Sequence, residues 1–151
     1  VMPHLGCHIV IQRSPETIYQ LILDLSGYKV WLPASQNYHE TLVTSDYPLR
    51  VGSTYVDRGR AGELRGEIVQ LEPARRIVFQ QVLTTRRSVL TTRITYTLLP
   101  VTTGTQVTRE VDLHPQGLLM FIQFLFYPVV KKENQRILHA MQHYLNARAT
   151  Q

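Results

Sequence analysis

Arg109 lies on the apolar side of an alternating stretch, between Val107 and Val111. A guanidinium there demands a partner, because a buried charge is tolerated only when it is paired and hydrogen-bonded. That partner can be a carboxylate, a bound molecule, or water near the end of a sheet. Gln81 shares a face with Ile77, Phe79 and Leu83, Asp57 shares one with Tyr55, and Tyr96 shares one with Leu90, Thr92, Ile94 and Leu98. Tyr55, Asp57, Tyr96 and Arg109 are the groups that could orient an enolizable chain and move protons by general acid–base chemistry. Each is also a polar group of the kind that a core satisfies internally, which is its commoner role.

Other chemistries lack their residues. There is no Gly-rich phosphate loop ending in Lys-Ser or Lys-Thr, no Gly-x-Ser-x-Gly elbow and no paired-carboxylate motif. His139 and His143 stand four apart, a spacing that suits one metal, but no accompanying ligand pattern follows them, so neither a metal nor a cofactor is expected. The net charge of +5 comes from Arg scattered singly and in pairs, with no basic helix or aromatic RNA-binding signature, which argues against nucleic acid. A single Cys7, in an apolar stretch, reads as filler in a reducing compartment. Val-Met-Pro-His-Leu-Gly at the start carries no basic segment followed by an apolar run, so a cytoplasmic location is expected.

At 151 residues, 44% hydrophobic and 18% charged, with no repeat or low-complexity tract, residues 1–151 read as one domain with one core. Leu5 to Gln12 reads as a strand. Ser14 then caps a helix that opens with Pro15 and puts Ile18, Leu21, Ile22 and Leu25 on one face, and a second short helix spans about Tyr28 to Leu32. Six strands follow, near Tyr38 to Thr44, Thr54 to Arg58, Leu64 to Glu72, Arg76 to Thr84, Ser88 to Leu99 and Thr105 to His114. Leu64 to Glu72 alternates poorly and invites a bulge.

The remaining stretch, Gln116 to about Arg148, reads as one long helix of about 45 Å. Its first half, through Met120, Phe121, Phe124 and Phe126, is apolar on every side and predicts burial all round; Pro128 should kink the helix or start its second segment. The apolar run, of about 14 residues, is too short for the ~18 to 20 that a bilayer needs. Its second half repeats Ile137, Leu138, Met141, Tyr144 and Leu145 on one face. The predicted fold is α+β: seven antiparallel strands curved around a long C-terminal helix, with two short helices between strands one and two.

Several segments in order carry a family resemblance: Arg13-Ser14-Pro15-Glu16-Thr17-Ile18-Tyr19 with Asp24, Trp31-Leu32-Pro33, Val51-Gly52-Ser53-Thr54-Tyr55, Gly66-Glu67-Ile68-Val69, and Leu71 through Phe79. Over nearly the whole chain the sequence resembles the START-like or SRPBCC superfamily, the helix-grip fold, and within it the polyketide cyclase/dehydrase-like group. The resemblance implies a cavity between sheet and long helix for hydrophobic or amphipathic small molecules, in a family that ranges from carriers to cyclases. Expected to line it are Trp31, Tyr55, Asp57, Phe79, Gln81, Ile94, Tyr96, Arg109, Met120, Phe121 and Phe124. Consecutive antiparallel strands reverse at alternate ends, so Arg58, Arg60 and Arg65 in one hairpin and Arg86 and Arg87 in another fall at one end, where the family has its cavity mouth. An empty cavity of ~300 Å³ would cost about 7 kcal/mol, comparable with the whole stability of a small domain, so a large void needs an occupant. The expected function is therefore binding or carrying such a molecule, an amphipathic anion if the Arg-rich mouth meets its polar end. A cyclase/dehydratase-type enzyme is the alternative, and a membrane-surface or protein interaction role through Phe121, Phe124, Phe126, Tyr127, Lys131 and Lys132 is the third.

Overall fold

The computed structural model describes residues 4–148. Its seven strands form one antiparallel sheet in the order β1-β7-β6-β5-β4-β3-β2. They are β1 His4–Ile11, β2 Glu40–Val43, β3 Thr54–Gly59, β4 Gly62–Glu72, β5 Arg76–Thr84, β6 Ser88–Val101 and β7 Gly104–Gly117. Between β1 and β2 come α1 (Pro15–Leu23), a 3-10 turn (Leu25–Gly27) and α2 (Tyr28–Trp31). After β7 come α3 (Leu119–Ile122), a second 3-10 turn (Gln123–Leu125) and the long helix α4 (Tyr127–Arg148).

The local chemistry explains these boundaries. The Ser14 side chain accepts a hydrogen bond from the Thr17 backbone N–H at 3.3 Å, and Pro15 occupies the first turn, where no intrahelical donor is needed. In β4 the register slips between Ile68 and Gln70, a bulge that accounts for the poor alternation of that strand. β7 outlasts its expected end because β6 continues beside it, pairing Leu90 with Pro115 and Ser88 with Gly117. Pro115, which has no N–H to give to a ladder, stands near the end of β7, beyond Asp112, where the described pairing with β1 stops. Gly117 then stops the strand: its φ is +82°, and a Cβ there would lie 2.3 Å from the Arg87 carbonyl oxygen.

This corrects the expected helix from Gln116. Residues 116 and 117 belong to β7, and the long helix starts at Tyr127, with Pro128 as its second residue, where it opens the helix instead of kinking it. Twenty-two residues give a helix of about 33 Å, shorter than the expected rod. The apolar half is not buried all round either. It turns across the open end of the sheet with one side inward, leaving Leu118, Met120, Phe124 and Leu125 exposed and Phe121 at 75% exposure. An apolar surface on all sides shows what a segment could bury, and here the chain supplies neighbours on one side only.

The core cluster runs along the concave face of the sheet, from Leu83 and Leu90 near the hairpins to the packing of α4 at the opposite end. On α4 the buried stripe is Asn134, Leu138, Met141 and Leu145, which faces β1 and β7. Ile11, Ile18, Ile22, Leu98 and Val107 join that cluster. Arg13 closes it by donating to the Leu145 carbonyl at 2.7 Å, and Gln142 donates to that of Val10 at 2.9 Å. Removing the Leu138 side chain should therefore cost about 2 to 5 kcal/mol, whereas Phe121→Ala should stay within about 0.5 kcal/mol. Urea unfolding of Leu138→Ala and Phe121→Ala checks both, and a loss at Phe121 equal to that at Leu138 would contradict the exposed placement.

Candidate functional site

Side chains on the concave face of the sheet stand in cross-strand rows, one row for every second residue. Nearest the β3–β4 and β5–β6 hairpins, Leu83 pairs with Leu90, and Asp57 with Leu64. The next row runs Tyr55, Gly66, Gln81, Thr92, Leu113, and the one below it holds Phe79, Ile94 and Val111. Tyr96 and Arg109 pair in the row below that, and Leu98 with Val107 still deeper. The upper rows, together with Leu25, Tyr28 and Leu32 on one side and Phe126, Val129, Val130 and Ile137 on the other, surround a cavity of about 580 Å³. Tyr96 and Arg109 also line it, whereas Leu98 and Val107 do not, so the Tyr96–Arg109 row is its floor.

The floor is held by hydrogen bonds. Arg109 is 9% exposed; its Nε donates to the Tyr96 hydroxyl at 2.9 Å and its Nη1 to Asn134 Oδ1. Asn134, 1% exposed, donates in turn to the Leu5 carbonyl at 3.4 Å. Higher up, Gln81 Nε2 donates both to the Tyr55 hydroxyl at 3.0 Å and to Asp57 Oδ2 at 2.8 Å. Thr41 donates to the other Asp57 oxygen at 2.5 Å and is 2.8 Å from the Tyr38 hydroxyl. The Tyr55, Phe79 and Tyr96 rings link the two clusters edge to face, with centroids 5.7 and 6.2 Å apart. Gly66 makes room for this arrangement: any Cβ there would fall 2.2 Å from the Tyr55 ring.

Burial sets the protonation behaviour. Loss of water around Asp57 raises its carboxyl above the ordinary value, against the lowering effect of the Thr41 and Gln81 hydrogen bonds and of the Arg109 charge. Burial likewise pushes the Tyr55 and Tyr28 phenols well up. All three stay in their neutral forms more readily than they would in water.

The family model described as polyketide cyclase / dehydrase and lipid transport matches residues 2–148. The chain belongs to this family. Solved structures share the fold. A protein of Mesorhizobium loti superposes with a TM-score of 0.71 at 20% identity, covering 96% of this chain and 98% of that one. The Zhui aromatase/cyclase from Streptomyces sp. R1128 gives 0.78 at 13% identity, covering 99% and 96%. The di-domain ARO/CYC StfQ from the steffimycin biosynthetic pathway gives 0.77 at 11% identity; all of this chain (100%) is covered, but only 53% of that one. No curated protein matches the sequence. At these identities the structural likeness establishes the helix-grip fold alone, and the family supports a hydrophobic-ligand-binding or cyclase-type role.

Within this polyketide cyclase/dehydrase-like fold, Tyr55, Asp57, Phe79, Gln81, Ile94, Tyr96 and Arg109 all line the cavity. Trp31 does not. It stands behind Tyr28, ring centroids 5.2 Å apart, and supports that lining residue from the rear. Met120, Phe121 and Phe124 also lie off the cavity wall, because the segment after β7 is a short helix and a 3-10 turn instead of one continuous helix; Phe126 and the largely exposed Leu125 are its residues that reach the cavity. Of the five hairpin arginines, Arg58 and Arg60 reach the rim, and Arg65, Arg86 and Arg87 do not line the cavity. Arg58 is turned sideways into ion pairs with Glu40 at 3.2 Å and Glu63 at 3.3 Å, its cross-strand partners on the opposite face from Asp57. His139 and His143 are on the exposed side of α4, and among the described residues no group of three metal-ligating side chains occurs.

Sequence reasoning missed Asn134, Tyr28, Tyr38 and Thr41. Asn134 had a signal: with Leu138, Met141 and Leu145 it completes the i, i+4, i+7, i+11 stripe of α4. Thr41 had none, since its contact with Asp57 depends on the β2–β3 register.

The raised Asp57 carboxyl predicts a pH dependence. As pH rises the unfolded chain gives up this proton first, so the native state binds more protons over that interval. The stability tied to Asp57 is thus fully present below the ordinary carboxyl value and is lost as pH rises through the native one. Asn does not titrate, so the Tm of Asp57→Asn minus that of the wild type should increase with pH across that window and level off above it. Calorimetric scans between about pH 3 and pH 8 measure this difference; a constant or shrinking difference would contradict the assignment.

Proposed function

We propose that this protein binds a small hydrophobic or amphipathic molecule in the cavity between sheet and α4 and carries it unaltered. The observation that carries this reading is the cavity itself, about 580 Å³ and walled mainly by apolar side chains, within the range of small-molecule sites. An apolar space of this size is costly when left dry, so water or a ligand fills it. Binding is favoured over catalysis because the candidate acid–base group is committed: each Asp57 oxygen already accepts a hydrogen bond within the chain. For a cyclase-type reaction Asp57 would have to release Thr41 or Gln81 to reach a substrate.

Thr92 lines the cavity on the concave face, so Thr92→Phe should narrow it. Native mass spectrometry of protein purified from cells should find a bound small molecule on the wild type and a smaller bound fraction on Thr92→Phe of similar Tm. A wild type that flies at its bare chain mass, and also fails to bind apolar probes, would overturn the reading.

The exposed Phe121 and Phe124 beside the cavity wall, with Lys131 and Lys132 exposed on the following helix, favour a second reading in which the molecule is collected at an anionic lipid surface. No helix among the described residues is long and apolar enough to cross a membrane. Co-sedimentation with phosphatidylglycerol vesicles should be seen for the wild type and lost in Phe121→Asp; no sedimentation of the wild type removes this reading.

A further inference from the structure

Arg109 presents an unusual balance of charge. It is buried, its cavity lies beside an apolar wall, and both groups that hold it, the Tyr96 hydroxyl and the Asn134 amide oxygen, are neutral. Among the described residues no carboxylate lies within ion-pairing distance of it. Glu133, the other cavity-lining acid besides Asp57, is held by both arms of Arg136, at 3.0 and 2.8 Å. Asp57 stands three rows up the concave face, nearest the hairpins, and burial favours its neutral form. A guanidinium that has lost most of its water and gained no anion is a costly arrangement unless something supplies the negative charge.

The geometry shows where that charge would go. Nε and Nη1 make the two hydrogen bonds, and Nη2 makes none within the described residues. Arg109 itself lines the cavity, so its remaining N–H groups are the ones left for a guest there. Tyr96 and Asn134 fix the plane of the group, so those donors are already oriented. A guanidinium offers paired donors that match the two oxygens of a carboxylate. From Arg109 up β7 to Pro115 is three two-residue steps, roughly 20 Å of strand, along which Val111 and Leu113 offer apolar wall.

We propose that the ligand is an organic acid that enters head first, its carboxylate against the free N–H groups of Arg109 at the cavity floor and its apolar body in the upper rows. This deepens the ligand-binding reading and rests on it. It also reverses the orientation that an arginine-rich mouth suggests, since Arg58 at the rim is already paired with Glu40 and Glu63.

Isothermal titration of the intact protein with 2-naphthoic acid and with its neutral isostere 2-naphthamide, at pH 7.5 or so, separates the possibilities. The wild type should bind the acid at least about tenfold more tightly than the amide, a difference of about 1.4 kcal/mol. Arg109→Gln should bring the two within about twofold while leaving amide binding nearly unchanged. Should Arg109→Gln fail to fold, Asn134→Asp serves instead: it keeps Arg109, supplies an internal counter-ion, and should abolish the preference for the acid. Amide binding equal to or tighter than acid binding in the wild type overturns the head-first acid while leaving the cavity reading intact. A preference for the acid that survives both substitutions also overturns it. Failure of both probes to bind counts against the ligand-binding reading itself.

Discussion

One helix has to close a sheet that is longer than it is. Strands β6 and β7, at 14 residues each, reach about 47 Å, and α4, at 22 residues, about 33 Å. The helix applies its one well-formed apolar stripe to the end where β1, β6 and β7 lie close, and there Leu138, Met141 and Leu145 lock against Ile11, Leu98 and Val107. Everything toward the hairpins is left to residues that face each other across open space. The solid core and the cavity are thus two outcomes of the same constraint, and the Tyr96–Arg109–Asn134 row marks the boundary between them.

That boundary is polar for a physical reason. A row of aliphatic side chains at the floor would be wetted on one side and dry on the other, with nothing to fix its position. Hydrogen bonds from β7 to β6 and to α4 give the floor a defined geometry, and the cost of burying Arg109 is offset partly by Tyr96 and Asn134. Above it, the Asp57–Gln81–Tyr55 cluster holds the short outer strands to the middle of the sheet through side chains, where the ladder alone ends in β2, a strand of four residues.

Much of this was legible in the sequence where local chemistry decides it. Ser14 and Pro15 mark the start of α1, the poor alternation of Leu64 to Glu72 signals the bulge at Ile68 and Gln70, and Leu90, Ile94, Tyr96 and Leu98 are buried on one face as their spacing predicts. Arg109 was legible as a buried charge needing a partner, but its partner lay 25 residues away on a helix whose start had been misplaced. Hydrophobicity misled between Leu118 and Leu125 because it measures the tendency to leave water and says nothing about whether a neighbour exists to receive the segment. The ion pairs of Arg58 were unreadable for another reason: which residues of β2 and β4 stand beside it depends on register across three strands.

The stacking of the concave face in two-residue steps has a consequence for how such a protein can change. Ile94, Val111 and Leu113 line the cavity and also belong to the core cluster that includes Leu138, Met141, Leu145 and Val107. Exchanging one of them alters the space offered to a guest and the packing of the fold in the same stroke. Thr92, which lines the cavity from outside that cluster, is where a lineage can retailor the room at least cost to the foundation.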